Sequence, residues 1–408
     1  MAKIIIAGGS LGGLFAANIL YRNGHEITVL EKSSGSMSGR GAGIVTHDAL
    51  RNALKECGVP ETDNLGVHVS ERVTLAADGS CLGKVHIPQI LTSWGRLYQL
   101  LKNSFPDKFY LQGKSINITQ QTSNSVEVQC EDGSRYEGDL LIASDGLRST
   151  VRTNLAPDIQ PLYAGYIAWR GVCDEQKLSH LTLNTLFNYF GFCLPNGEQM
   201  LGYPVAGGDN DTSIGNRRFN FVWYRPTKDK KELTDLLTDE AGRFHPNGIP
   251  PSLVAKKHID TMRSLSQKIL APQFAEIIAK TEQPFFQPIY DVFSEKIHFD
   301  RIALMGDASF VARPHVGMGV TKAAEDAMAL NECIQKYGAN PNAFRAYETS
   351  RLPVGQKIVR HAQFLGRYMQ SQGLTANQMG GVPLRNPNTV MVETALGLEK
   401  ASEESVSI

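Results

Sequence analysis

Lys3 to Ala7 is a short apolar run that breaks off into glycine. An unbroken apolar run of this length predicts a parallel strand buried on both faces. Leu14, Ala17, Ile19 and Leu20 then recur at roughly helical spacing, up to Asn23-Gly24, where a helix should stop. Glu26 to Leu30 is a second apolar strand, running into Glu31. Strand, glycine turn, helix, strand and terminal acid form the pattern of a nucleotide-binding unit.

Similar patterns return further along. Tyr136 to Ala143 predicts a strand, followed by Ser144-Asp145-Gly146 and a basic helix start at Leu147 to Arg152. Arg301 to Met305 predicts another, ending in Gly306-Asp307-Ala308. Thr321 through Ile334 reads as an amphipathic helix, with Ala324, Ala327, Met328 and Leu330 apolar. The segment TSWGRLYQLL predicts a helix that carries Arg96. Between 163 and 292 the texture changes to clustered aromatics. Alternation from Arg218 to Tyr224 predicts a strand with one buried face. Val69 to Val85, with Asp78-Gly79 inside it, predicts a hairpin feeding the same sheet. Pro341 to Met369 reads as a helix pair or one long helix, with Pro353 as the candidate break. Beyond Gln370 the chain is largely polar and reads as a tail, frayed or draped on a partner subunit.

Composition narrows the class. The chain has 408 residues, with 41 basic and 41 acidic side chains, so its formal charge is zero. That argues against a nucleic-acid partner, which usually meets a net basic surface. The hydrophobic share of 42% and charged share of 20% suit an ordinary globular protein. The six cysteines form no C-x-x-C pair and the histidines no H-x-x-x-H spacing, so no metal site is expected. Reduced thiols, the short apolar start MAKIIIAGGS and the lack of any long apolar stretch point to a cytoplasmic enzyme without a membrane span.

The fingerprint G-x-G-x-x-G falls on Gly8, Ser10 and Gly13, with serine in the middle position. A small residue suffices there, because the pyrophosphate approaches backbone N–H groups at a helix N-terminus. Glu31, placed to bond ribose hydroxyls, favours an NAD-like or FAD-like nucleotide over one with a 2′-phosphate. The fingerprint alone does not choose between the two.

The order GGSLGG…E, ASDGLRSTVR and GDASFVARPHVGMGVTKAAEDA resembles the single-component FAD-dependent aromatic hydroxylases, of the p-hydroxybenzoate and salicylate hydroxylase type. The resemblance spans roughly residues 3 to 360. Within that family, SGRGAGIV at 38–45, YAGYIAWRGV at 163–172, FNFVWY at 219–224 and ARPH at 312–315 resemble most the hydroxypyridine hydroxylases. Three positions depart from the general pattern: Ser10, Phe310 where histidine is usual, and Thr321 where asparagine is common.

The resemblance implies an α/β fold, a Rossmann-like FAD-binding domain with an inserted, mostly antiparallel substrate sheet and C-terminal helices. The FAD-binding domain would comprise 1–68, 92–162 and 293–370, the substrate domain 69–91 and 163–292, and the tail 371–408. It implies hydroxylation of a small hydroxylated ring with O2 and NADH or NADPH, through a flavin C4a-hydroperoxide. No second glycine fingerprint is visible, which fits a donor bound transiently. The FAD-contacting set is then Gly8, Ser10, Leu11, Gly13, Glu31, Lys32, Arg40, Arg96, Asp145, Asp307, Gly317, Met318, Gly319 and Val320. The polar groups placed to touch a hydroxylated ring are His315, His47, Tyr224 and Tyr203. A homodimer is the family's habit. Two other readings stay open: a flavoprotein of the same fold performing epoxidation or oxidative decarboxylation, and a catalytically silent nucleotide-binding protein.

Overall fold

The computed structural model describes residues 1–35, 43–60, 65–370 and 387–396. Arg40 lies outside them.

The N-terminal unit forms as its pattern predicts. Strand β1 (Lys3–Ala7) leads into helix α1 (Leu11–Arg22) and returns as β2 (Glu26–Glu31). Asn23 caps α1, and Gly24 takes a positive φ of 86° to turn the chain back. β1 lies between two parallel neighbours, β2 and β10 (Leu140–Ala143). Beyond β10 comes β17 (Ile302–Leu304), edged by β16 (His298–Phe299); beyond β2 comes β6 (Tyr110–Gln112). The central strands carry no polar face, because both sides are covered: Ile6 packs at Gly13 of α1 on one side and Ile5 at Gly138 on the other.

The run 136–143 is not one strand. Its first half joins β9 (Arg135–Gly138), in a three-stranded antiparallel sheet with β7 (Ile116–Gln121) and β8 (Val126–Cys130). Its second half is β10. Asp139 makes the break: its N–H donates to Lys3 O, and its carboxylate accepts from Lys3 N at 2.8 Å. The chain thus leaves one sheet and enters the other beside the start of β1.

The second large sheet has nine strands. Its order runs from β18 (Phe310–Val311) through β15 (Phe285–Phe293), β11 (Leu162–Asp174), β14 (Arg218–Pro226), β13 (Gln199–Val205) and β12 (Phe190–Cys193). It ends with the hairpin β4 (Val67–Leu75) and β5 (Cys81–Ser93), and the short β3 (Gly43–Val45). All neighbours are antiparallel except β12 and β4. The expectation of one buried face on β14 is corrected: both faces are buried. Phe219, Phe221 and Trp223 pack with Met262 and Phe274 of the helices Lys256–Ile269 and Pro272–Lys280. Asn220, Val222 and Tyr224 point the other way, with Val222 and Tyr224 joining Tyr166, Ala168, Leu201 and Tyr203. Strict alternation survives, but the polar side of the pattern is aromatic hydroxyl and amide rather than charge.

The C-terminal part decides between two alternatives and corrects one expectation. Pro341–Gln370 is one helix that runs through Pro353. Pro353 is exposed, and Phe344 and Tyr347 before it and Ile358 and Val359 after it hold both halves on buried surface. The expected tail is not wholly free. Helix Pro387–Glu393 lies on the chain's own nine-stranded sheet, with Val390, Met391 and Ala395 in the same apolar cluster as Tyr203 and Tyr224. Buried Arg72 donates to Met391 O and to Thr394 O at 2.7 Å, and Ala395 N donates to His315 O at 2.8 Å. The composition of 371–408 hid this strap, because its few apolar residues are concentrated in one short helix.

Burial pushes the Glu393 carboxyl up to about 6. A carboxyl raised on folding favours the folded form while protonated, so stability falls as pH rises from the unfolded value toward 6. Glu393→Gln is therefore expected to raise the unfolding midpoint at pH 8 and leave it unchanged at pH 4. An equal shift at both pH values would contradict this assignment.

Candidate functional site

Three loops meet at the carboxyl ends of β1, β10 and β17. The first is the glycine turn. Gly8 has a φ of 94°, and a Cβ there would stand 2.5 Å from Ser144 O. A Cβ on Gly13 would stand 1.9 Å from Gly8 O, and one on Gly12 2.7 Å from Ser144 Oγ. Only glycine lets these backbones approach. Ser10 caps α1 without a side-chain capping bond, which leaves its hydroxyl available. The first-turn N–H groups of α1, from Leu11 on, have no carbonyl within the helix to bond. Glu31 accepts from Gly9 N and from Ser33 N, each at 2.8 Å. It therefore braces the turn, while a carboxylate's further lone pairs stay open to sugar hydroxyls. Lys32 is exposed beside it.

The second loop holds Asp145. Its Oδ2 accepts from Val151 N at 3.2 Å, and its Oδ1 is buried without a partner. Burial raises its carboxyl, against the hydrogen bonds from Ser149 and Val151. Arg152, almost fully buried, donates to Leu147 O at 2.6 Å and to Ala308 O at 2.9 Å. It ties the second loop to the third.

The third loop, Gly306–Ala308, carries Asp307. Its backbone is held from both sides. Gly306 N donates to Asp326 Oδ2 at 3.0 Å, and Lys322 Nζ donates to Gly306 O at 2.6 Å. Both partners are buried on one face of the helix Gly319–Tyr337. Arg351 Nε then donates to Asp326 Oδ1 at 2.7 Å. Asp307 itself is exposed and makes no hydrogen bond. Packed protein and the Asp326 charge push its carboxyl up while Lys322 opposes, but water at an exposed side chain screens that push.

The chain continues through Pro314–Val316 to Gly317, which glycine suits because its φ is 65° and a Cβ there would stand 2.8 Å from Ala395 Cα. Met318 caps the helix that begins at Gly319, followed by Val320. This short stretch brings the three loops to the nine-stranded sheet. His315 is buried, its Nε2 2.8 Å from the Tyr166 hydroxyl and its ring 4.1 Å from that of Tyr224. Tyr203 lies further along the same face. Burial raises the hydroxyls of both tyrosines, that of Tyr224 to about 12. Both are therefore neutral donors near pH 7. His47 precedes helix Asp48–Glu56, and its Nδ1 lies 2.9 Å from Thr321 Oγ1. Thr321 thus has a partner of its own at the position where the resemblance expects asparagine. Phe310, the other departure, fills a structural gap: a Cβ on Gly355 would stand 2.2 Å from its ring. Arg96 sits on helix Trp94–Asn103 with its Nε buried and unpartnered.

Residues 269–362 match the family described as FAD binding domain, and residues 163–291 match one described as FAD binding domain-like. The chain is 29% identical to 2,6-dihydroxypyridine 3-monooxygenase of Paenarthrobacter nicotinovorans, over 91% of this chain and 92% of that one. The solved structure of 2,6-dihydroxypyridine-3-hydroxylase from Arthrobacter nicotinovorans superposes with a TM-score of 0.86, at 28% identity, covering 96% of both chains. The 3-hydroxybenzoate 6-hydroxylase of Polaromonas naphthalenivorans is 25% identical over 91% of this chain and 89% of its own.

Along most of its length this chain is similar to FAD-dependent aromatic hydroxylases.

The residues present fit that cofactor. The glycine turn is a cradle that any Cβ would fill, and Arg96 Nε and Asp145 Oδ1 are buried polar atoms left without protein partners. Among the described residues no cluster of metal-ligating side chains occurs, and no helix is long and apolar enough to cross a membrane. Sequence reasoning missed Arg152, Lys322, Asp326 and Arg351. The spacing of Lys322 and Asp326, four apart on a helix, reads as a solvated surface pair. The adjoining alanines, Ala323, Ala324 and Ala327, were the signal that this face is buried.

Asp307→Ala is expected to weaken FAD binding by about 10- to 100-fold, the loss of one or two hydrogen bonds to a charged group. Flavin fluorescence titration of the apoprotein reads this directly. Unchanged affinity would refute the assignment.

Proposed function

We propose that the protein hydroxylates a small aromatic ring already bearing a hydroxyl, of the hydroxypyridine type, with O2 and a reduced nicotinamide donor. The observation that carries this reading is the meeting of His315 and Tyr224, ring to ring at 4.1 Å. It joins the loop beside the proposed FAD site to a buried sheet face lined by aromatic hydroxyls. The names of the similar proteins, which act on dihydroxypyridine and on hydroxybenzoate, support the substrate class.

FAD, when bound, supplies the redox chemistry and the activation of O2. We assign Gly8, Ser10, Leu11, Gly13 and Arg96 to the pyrophosphate, and Glu31 with Lys32 to the adenosine ribose side. Asp145 and Asp307 face the remaining sugar and phosphate groups, and Gly317 to Val320 lie beside the ring system, with Arg40 as a further contact. The N-terminus of the helix at Gly319 favours negative charge on the ring system next to it. The sheet and the strap would keep water from this face.

The substrate is the better nucleophile once its hydroxyl loses a proton. Tyr203 and Tyr224 stay protonated, so they orient the ring by donating hydrogen bonds. The proton then falls to a histidine: His315, held against Tyr224, or His47, held by Thr321. NADH or NADPH is the proposed donor, the cytoplasm the proposed compartment, and a homodimer the proposed assembly. Six free cysteines agree with a reducing compartment.

The purified holoprotein should be yellow and should oxidise NADH faster when a hydroxypyridine is present, with one oxygen appearing in the product. A protein that neither carries nor takes up FAD would end this reading. His315→Asn is expected to lower kcat and to remove the limb of the pH profile set by the base; if only His47→Asn does so, the base is His47.

A further inference from the structure

Arg170 sits on β11 with its side chain on the same face as Tyr203 and Tyr224. It is 9% exposed, its Nε is buried without a partner, and no carboxylate among the described residues pairs with it. A guanidinium in that position is costly, because a buried charge needs an opposite charge or a full set of acceptors. Its surroundings offer more donors instead. Asn220, 1% exposed, spends its Oδ1 on Gly43 N at 3.0 Å and leaves its Nδ2 unpaired. Asn220 is the register partner of Tyr203, and Arg170 the partner of Val222, which lies between Asn220 and Tyr224 on β14. The Tyr203 and Tyr224 hydroxyls feel the Arg170 charge and stay neutral donors. One cation and three neutral donors thus converge, with no anion among them.

We infer that Arg170, flanked by Asn220 Nδ2 and the two tyrosine hydroxyls, binds an oxyanion carried by the aromatic substrate apart from the hydroxyl that gives its proton to the histidine, so that the ring enters as an anion. This rests on the proposed hydroxylase reading and specifies the charge of its substrate. Arg170 is then a substrate-binding residue, and Asn220 also fastens the chain at Gly43 to the site. The oxyanion has two sources, an ionised ring hydroxyl or a ring carboxylate. The donor set recognises what they share.

The test measures ligand binding to the holoenzyme through the change in the flavin spectrum, for 2,6-dihydroxypyridine and for 6-hydroxynicotinate, across pH. In the unaltered protein, affinity for 2,6-dihydroxypyridine should rise as that ligand ionises. Arg170→Gln should weaken the anionic form by about 10- to 100-fold and abolish this pH dependence, with Arg170→Lys restoring part of it. A loss confined to 2,6-dihydroxypyridine assigns the ring oxyanion; one confined to 6-hydroxynicotinate assigns the carboxylate. Arg170→Met supplies a second readout. If the cation waits for a ligand, its removal should leave the ligand-free melting temperature unchanged or raise it. Unchanged affinity for both ligands in Arg170→Gln, or a lower melting temperature in Arg170→Met with normal binding, would overturn the inference and leave the hydroxylase reading intact. Failure of the unaltered holoenzyme to bind either ligand would overturn both.

Discussion

The clasp on Gly306 is the constraint on which the site depends. Asp326 takes its N–H and Lys322 takes its carbonyl, both from one helix. Gly306 follows β17 after Met305, whose N–H donates to Ala143 O at the end of β10. The clasp therefore fixes the helix Gly319–Tyr337 to the carboxyl edge of the parallel sheet. The head of that helix is the loop 313–319, so the same bonds decide where His315 meets the second sheet. Buried Lys322 and Asp326 are expensive alone, but hydrogen bonds to fixed backbone and to Arg351 offset the loss of water. Arg152 does the same for the neighbouring loop through Ala308 O.

The nine-stranded sheet gains its function from being covered twice. Helices close one face, so the strands need not present an ordinary solvent side. The other face is closed by the loop at His315 and by the strap 387–396, which Arg72 holds through two carbonyls. Between these covers, aromatic hydroxyls, an amide and a guanidinium replace the charged residues that an exposed face would carry. A dry polar face with unused donors is poor stability design and good recognition design.

Much of the fold was legible because glycine and hydrophobic periodicity report backbone demands directly. The turn at Gly8 to Gly13, the strands around Asp145 and Asp307, and the hairpin at 69–85 could be read that way. The break at Asp139 could not, since a register change between sheets depends on Lys3, far away in sequence. The clasp was hidden because four-residue charge spacing looks identical on a solvated and a buried helix face. Arg170 was hidden inside an apolar strand, where a single charge reads as a strand-end residue. The strap was hidden by averaging a short apolar helix into a polar tail. For the site, glycine turns and motif order were readable, and the polar contents of the second sheet were not.

Lys322→Met tests the central claim most directly. It leaves Asp326 paired with Arg351 and Gly306 N, but frees the Gly306 carbonyl. The clasp account expects FAD affinity to fall by about 10-fold or more, with the apoprotein's unfolding midpoint little changed. FAD binding as tight as in the unaltered protein would contradict it.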